Sequence, residues 1–213
     1  MTARTRAVLF DFGGVFTPSP FDGARDYGSA IGASPERVLE LVFGPYHEDT
    51  DHPWHRLERG EIPLADARAA IVELGRVEGI DADPFKLFAS MANGPRGAYD
   101  AMIERARSVR ARGYRTALVT NNIVEFRDSW RKMVPADELF EVIVDSSAVR
   151  MRKPNPAIFR HTLELLGGIA PSECLFLDDA ASNVEAAERL GIRGVLVKSD
   201  LRDALAALDA LLD

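Results

Sequence analysis

The sequence predicts an α/β fold, in which a doubly wound parallel sheet carries an inserted all-helical cap. Two observations support this prediction. Short apolar runs alternate with helical patterns through most of the chain, and one long stretch near the amino terminus has helical patterns without a convincing strand. A length of 213 residues is enough for one such domain with a large insertion.

Five apolar runs rich in β-forming residues predict the strands of the sheet. Each run is followed by a polar or glycine-containing turn and then by a helical pattern. The runs are residues 7–10, 116–119, 142–144, 174–177 and 194–197. This β-α-β alternation is typical of a parallel sheet.

Capping residues mark the helices that connect these strands. Asn155 and Pro156 predict an N-cap and first turn, and Gly167 predicts the end of that helix. Ser182 is predicted to cap a helix that ends at Gly191, and residues 199–212 have the spacing of a closing surface helix.

The stretch from Phe16 to about Gly94 breaks the alternation. Patterns at 35–43, 63–74 and 84–91 predict helices there. We therefore predict a catalytic core of residues 1–16 and 95–213 with a helical cap at 17–94. Proline-containing stretches at 17–21 and 93–96 are expected to act as hinges.

Composition excludes several classes of function. The net charge of −7 argues against nonspecific nucleic-acid binding, which needs a basic face. No run approaches the roughly 20 apolar residues that a membrane span requires. The amino terminus lacks a signal-peptide core, and the single cysteine, Cys174, lies in a predicted buried strand, so we expect a cytoplasmic protein in a reducing compartment.

Four segments place polar side chains directly after apolar runs, where a doubly wound sheet collects its ligands. Asp11 follows the first run and precedes two glycines, which makes it a candidate nucleophile, although taken alone it is also compatible with a turn or helix start. Thr120 and Asn121 follow the second, where they could bind a phosphoryl oxygen or simply cap a helix.

The other two segments add a cation and a pair of acids. Lys153 precedes Pro154 and is a candidate cation beside the nucleophile, whereas its alternative is a solvated lysine before a helix. Asp178 and Asp179 end a fully apolar run, and Asn183 follows. Adjacent buried acids need a compensating cation, and Mg²⁺ is the simplest one, although a helix-capping cluster is the alternative.

The order of these motifs resembles that of the haloacid dehalogenase superfamily, with its Rossmann-like core. The resemblance implies a Mg²⁺-dependent phosphatase of small phosphorylated metabolites that acts through an aspartyl-phosphate. It implies Asp11 as nucleophile and metal ligand, with the Gly13 carbonyl and Asp179 as further ligands. Asp178 and Asn183 would complete or orient that shell. Thr120, Asn121 and Lys153 would hold the phosphoryl group. It leaves the oligomeric state open between monomer and homodimer.

Gly13 departs from the pattern of most phosphatases of this family, which carry a second aspartate there as general acid. Loss of a general acid can cost a factor of roughly 10² to 10⁴ in rate. Some relatives share the glycine, including those similar to sugar-phosphate phosphatases and to the amino-terminal domain of soluble epoxide hydrolase. Three cap residues, His47, His52 and Arg56, are candidates to supply the missing acid or a substrate contact.

Alternative functions remain open at this point. One alternative is a 2-haloacid dehalogenase, an enzyme class with a similar fold. Such enzymes work without a metal, which would leave Asp178 and Asp179 without a role. A catalytically reduced binding protein is a second alternative, which Gly13 favours and which Asp11, Lys153 and Asp179 disfavour. Phosphotransfer to an acceptor other than water, including mutase chemistry, is a third.

Overall fold

A computed structural model describes residues 4–91 and 97–212, which contain a five-stranded, wholly parallel sheet. The strands lie in the order β3-β2-β1-β4-β5, so that β1 is central and pairs with both β2 and β4. Their bounds are β1 Ala7–Phe10, β2 Arg115–Thr120, β3 Val142–Asp145, β4 Cys174–Asp178 and β5 Arg193–Leu196. The five predicted strands are confirmed, with ends shifted by at most one residue.

Helices surround the sheet and fill the insertion. Between β1 and β2 lie α1 Pro20–Ile31, α2 Pro35–Phe43, α3 Pro53–Glu58, α4 Leu64–Glu78, α5 Pro84–Met91 and α6 Gly97–Ala111. The rest are α7 Arg127–Trp130, α8 Ala136–Leu139, α9 Ser146–Val149, α10 Pro156–Leu165, α11 Ala181–Glu188 and α12 Arg202–Leu211. Within the described ranges, no helix has both the length and the apolar character needed to cross a membrane.

Alternation along β1 supplies an apolar core on each face of the sheet. Val8 and Phe10 pack on one face with residues of α6 and α12. Ala7 and Leu9 pack on the other face with residues of α10 and α11. Because successive strand residues point to opposite faces, a strand buried on both sides must be apolar throughout, as β1 is. The doubly wound arrangement is confirmed.

The helices α1 to α5 form an all-helical cap with an apolar cluster of its own. Val42, Trp54, Leu57 and Ile71 are among its buried members, and Ile123, from the loop after β2, packs into the same cluster. The exact cap boundaries, after residue 16 and before residue 95, stay a prediction. The predicted hinge at 93–96 lies outside the described residues.

Two helix starts differ from the sequence prediction. The predicted hinge at 17–21 runs into α1, because Pro20 opens that helix and the Ser19 hydroxyl caps it by accepting a hydrogen bond from the Phe21 N–H. Ser182 is not an N-cap, since α11 begins at Ala181 and the Ser182 hydroxyl donates instead to the Tyr46 carbonyl, 2.7 Å away. The cap backbone thus uses a side chain that otherwise could cap the helix.

Candidate active site

The predicted segments meet at the carboxyl edge of the sheet because β1, β2 and β4 are parallel neighbours. Phe10 is paired with Leu118 on one side and with Leu177 on the other. The residues that follow these three therefore lie at the same level along the sheet. The Asp11 N–H donates to the Leu177 carbonyl at 2.8 Å. The sheet therefore brings Asp11 beside Asp178 without any help from the loops.

Lys153 lies at the centre of the site and is completely buried. Its Nζ is 2.7 Å from Asp11 Oδ1 and 2.6 Å from Asp178 Oδ2. The side chain of Asn121 fixes the Lys153 backbone, because its Oδ1 accepts from the Lys153 N–H at 2.8 Å and its Nδ2 donates to the Lys153 carbonyl at 3.0 Å. Asn121, predicted to bind substrate, thus also positions the lysine.

Asp178 is surrounded by hydrogen-bond donors. Besides the Lys153 ammonium, the Ala180 N–H donates to Oδ1 at 2.8 Å, and Asn183 Nδ2 lies 3.1 Å from both oxygens. A carboxylate so fully engaged is held in one orientation and in turn holds the lysine. These contacts favour a positioning role for Asp178.

Asp179 is held between Gly14 and Ser19. The Ser19 hydroxyl donates to Asp179 Oδ2 at 2.5 Å. A Cβ added to Gly14 would lie 2.0 Å from the same oxygen, and Gly14 has a φ of +69°, which other residues rarely adopt. Only glycine therefore lets Asp179 approach the first strand so closely. The sequence analysis did not identify Ser19, whose one visible signal is its position before Pro20 as a helix cap.

Burial and mutual repulsion shape the electrostatics of the site. Burial, together with the charge of Asp178, raises the pKa of Asp11 to about 7 despite the opposing charge of Lys153. Burial and the charges of Asp178 and Asp11 raise the pKa of Asp179 well above its ordinary value. Burial alone would lower the pKa of Lys153, but the charges of Asp11 and Asp178 outweigh burial and raise it.

A hard cation fits this donor set. Oxygens of Asp11, Asp178 and Asp179 lie within 4.8 Å of one another, and Lys153 is the single cation that contacts them among the described residues. Asn183 Oδ1 is buried without a hydrogen-bond partner. Excess negative charge, all-oxygen donors and an unpaired buried oxygen together suit Mg²⁺.

A cavity of about 370 Å³ lies over these residues. Thr120 lines it, and its hydroxyl has only a long, 3.5 Å contact to the Asn121 carbonyl, so the hydroxyl is available to a ligand. Gly13 lines it too, and a Cβ added there would meet nothing within 4 Å. The cavity therefore has room for a side chain where this sequence has none.

The cap residues that line the cavity are not those proposed from the sequence. His47, His52 and Arg56 do not contribute to it; His47 is exposed beside Glu48, and Arg56 pairs with Glu61 on the surface. The cap residues that do line it are Phe43, Tyr46, Trp54, Glu58 and Phe88. The expectation that His47, His52 or Arg56 reaches the reacting group has no support in this arrangement.

Arg152 ties the core to the cap directly beside Lys153. Its side chain is 3% exposed, and its Nε donates to Glu58 Oε2 at 2.7 Å. Glu58 Oε1 accepts from the indole N–H of Trp54 at 2.8 Å, and Arg152 Nη1 also donates to the Glu48 carbonyl at 3.3 Å. The loop that carries the lysine is thus fixed to the cap wall of the cavity.

Comparison with known proteins identifies relatives along nearly the whole chain. A family model described as haloacid dehalogenase-like hydrolase matches residues 5–191. Acyl-CoA dehydrogenase family member 10 of Mus musculus is 32% identical over 97% of this chain, and bifunctional epoxide hydrolase 2 of Rattus norvegicus is 32% identical over 96%. The chain spans only 19% and 38% of the lengths of those two proteins.

One relative has nearly the same length as this chain. A phosphatase of Mycobacterium tuberculosis is 29% identical over 97% of this chain and 96% of its own length. The similarity therefore extends over the cap as well as the core.

Solved structures share the fold. A haloacid dehalogenase family enzyme from Bacteroides thetaiotaomicron, solved as a magnesium complex, superposes with a TM-score of 0.63 at 24% identity, covering 92% of this chain and 95% of that one. L-2-haloacid dehalogenase from Xanthobacter autotrophicus superposes with a TM-score of 0.58 at 20% identity, covering 97% and 83%. At these identities the likeness extends to the fold alone.

Proposed function

The chain belongs to the haloacid dehalogenase-like hydrolases, and from that membership we propose that it is a Mg²⁺-dependent phosphatase of small phosphate monoesters with Asp11 as its nucleophile. The observation that carries the proposal is the cluster of three carboxylates around one lysine. A displacement of halide from carbon needs no metal and gives Asp179 no task, whereas transfer of an anionic phosphoryl group needs the positive charge that such a cluster would bind.

The side chains have separate tasks in this proposal. Lys153 binds Asp11 Oδ1 and fixes the carboxylate for attack on phosphorus. As the bond from Asp11 to phosphorus forms, the bond to the leaving oxygen breaks, and that oxygen takes a proton from solvent. Water then attacks phosphorus and gives up a proton, the bond from phosphorus to Asp11 breaks, and inorganic phosphate leaves. The Thr120 hydroxyl and the Lys153 ammonium stabilise the charge of the transferring group.

The metal would be held by Asp11, Asp179 and the backbone carbonyl of Gly13, with Asp178 and Asn183 orienting that shell. Mg²⁺ bound there supplies charge that offsets the repulsion between the carboxylate and the phosphate. Relatives named phosphatases or phosphoglycolate phosphatases support the reaction class.

Phosphate release tests the proposal. Acetyl phosphate, p-nitrophenyl phosphate and a panel of phosphorylated sugars and nucleotides are incubated with Mg²⁺ or with a chelator. We expect metal-dependent release that falls by a factor on the order of 10³ or more in Asp11→Asn. The matched control is Asp137→Asn, which removes a carboxylate that is 92% exposed and should keep full activity.

Three outcomes would contradict the proposal. One is the absence of phosphate release from acetyl phosphate. Another is release that Asp11→Asn retains. The third is metal-free release of chloride from 2-chloropropionate, which would assign the dehalogenase reaction instead.

A further inference from the structure

The wall of the active-site cavity is aromatic on both sides. On the cap side, the rings of Phe43, Trp54 and Phe88 pack together, with centroids 5.0 Å apart for Phe43 and Trp54 and 6.0 Å apart for Phe43 and Phe88. On the core side, Phe12 and Trp130 have centroids 5.1 Å apart. The ring centroids of Phe126 in the core and Phe88 in the cap lie 6.1 Å apart, so an aromatic contact links core and cap at the cavity.

Among the described residues that line the cavity, the one cationic side chain is that of Lys153, which belongs to the proposed phosphoryl-binding site. The charged residues that line the cavity are Asp11, Asp179, Lys153 and Glu58, among the residues that the structure describes. Lys153 is already held by two carboxylates, and Glu58 is already paired with Arg152, so neither charge is free for a second group of the substrate. A second anionic group on a substrate would lose its water there and find no partner, which is costly.

Polar partners for a sugar are also scarce. The Asn122 amide donates to Asp145 Oδ2 at 2.8 Å, and the Ser129 hydroxyl donates to the Phe126 carbonyl at 2.9 Å. The exceptions are the hydroxyls of Tyr46 and Thr17 and the indole N–H of Trp130, which is buried without a hydrogen-bond partner. Each unpaired hydroxyl of a buried sugar would cost free energy that an apolar group does not incur.

The opening of the cavity continues the apolar surface. Met133 and Phe126 both line the cavity, and they are 59% and 37% exposed. Single exposed apolar residues are common, but these two adjoin a wall of buried rings. If the organic group of a substrate is too long for the cavity, the part that extends out of the opening would therefore contact apolar side chains.

We propose that the substrate of this site is a phosphate monoester of an uncharged, apolar alcohol, whose alkyl or aryl group packs on the aromatic wall. The inference rests on the proposed phosphatase function. It separates this chain from relatives named for phosphoglycolate, a substrate whose organic part carries a carboxylate.

A matched pair of substrates tests the inference. Hexyl phosphate and 6-(phosphonooxy)hexanoate have the same chain and the same primary alcohol oxygen, and they differ in a terminal carboxylate. We expect kcat/KM to rise by up to about fourfold per methylene from ethyl through butyl to hexyl phosphate. We expect the carboxylate to lower kcat/KM by roughly tenfold or more relative to hexyl phosphate.

A variant at the opening should remove most of the expected preference for hexyl phosphate. Met133→Arg places a cation on the rim and should raise kcat/KM for the carboxylate ester by roughly tenfold relative to hexyl phosphate. Leu165→Arg is the matched control, because Leu165 is 48% exposed and does not line the cavity; it should leave the ratio unchanged.

Acetyl phosphate distinguishes a failure of the phosphatase proposal from a failure of the apolar substrate class, because its small leaving group does not need the aromatic wall. If the protein hydrolyses acetyl phosphate through Asp11 but uses the carboxylate ester as well as hexyl phosphate, the apolar substrate class is overturned and the phosphatase stands. A chain-length series without a rise would overturn it equally. If acetyl phosphate itself is not hydrolysed, both proposals are overturned.

Discussion

Gly13 lines the cavity at the position where the resemblance leads us to expect an aspartate in most phosphatases of the family. Its backbone is outside the left-handed region, and an added Cβ would meet nothing within 4 Å, so a Cβ fits at this position without strain. The site therefore lacks a proton donor here because the residue is glycine, and not because a Cβ would clash with its neighbours.

Restoring an acid at this position should raise the rate for poor leaving groups. In Gly13→Asp we expect kcat for hexyl phosphate to increase by about 10², the lower end of what a general acid contributes, and kcat for acetyl phosphate to change little because its leaving group needs no proton. Gly13→Asn, similar in shape but unable to donate a carboxyl proton, is the control. An equal effect of Asp and Asn on kcat would refute the proton-donor explanation.

Lys153 compensates two buried carboxylates, and its removal should destabilise the fold. In Lys153→Met we expect the free energy of unfolding, measured by urea denaturation without Mg²⁺, to fall by about 3–5 kcal/mol, because Asp11 and Asp178 lose their buried partner. Lys132→Met, at an exposed lysine, should change it by less than about 0.5 kcal/mol. Equal stability of the two variants would show that the buried lysine serves function alone.

At the scale of elements, the start of α3 depends on two neutral histidines. His52 Nδ1 accepts from the Trp54 N–H at 3.2 Å and caps the helix, and His55 Nδ1 accepts from the Thr50 N–H at 3.0 Å. Burial, together with the charge of Arg152, lowers the pKa of His52 to about 4 and that of His55 to about 3. A proton on either Nδ1 would remove an acceptor that the backbone uses.

The stability of the protein should consequently decline in acid. Below the ordinary histidine pKa of 6.5 the unfolded chain binds protons that the folded chain excludes, so stability contributed by the neutral rings is complete above pH 6.5 and is lost as the pH falls towards about 4. We expect the urea midpoint to fall between pH 7 and pH 5. In the double variant His52→Gln, His55→Gln this part of the decline should vanish, and an unchanged slope would disprove the assignment.

At the scale of the whole molecule, the pair of Arg152 and Glu58 joins the core to the cap. Both side chains are nearly buried, so removal of one leaves an unpaired charge in the other. Glu58 lines the cavity and Arg152 directly precedes Lys153, so the pair couples the position of the cap wall to the loop that carries Lys153.

A double-mutant cycle measures this coupling. With Arg152→Met and Glu58→Gln, we expect a coupling free energy of roughly 1–3 kcal/mol in urea unfolding. Limited proteolysis should cut the cap of Arg152→Met faster. The control cycle at Arg76 and Glu73, which are 71% and 57% exposed, should give no measurable coupling. Coupling as small as in the control would mean that the pair does not hold the cap.

The sequence by itself predicted the sheet, the all-helical insertion and the residues at the strand ends. These features are local: a strand buried on both faces must be apolar throughout, and parallel neighbours end at one edge. The places of Asp11, Thr120 and Asp178 follow from that rule, since each stands at or directly after the end of such a strand. Their catalytic and metal-binding roles stay predictions.

Only the tertiary structure decided which cap residues face the nucleophile. The sequence singled out His47, His52 and Arg56 by residue type, whereas the cavity is lined by neighbours from the same stretch, including Tyr46, Trp54 and Glu58. Which side of α3 turns towards the core depends on its packing in the cap cluster and on the reach of Arg152 across the chain. Contacts between residues so distant in sequence leave no periodic signal in either segment, so the aromatic character of the substrate wall emerged only from the assembled fold.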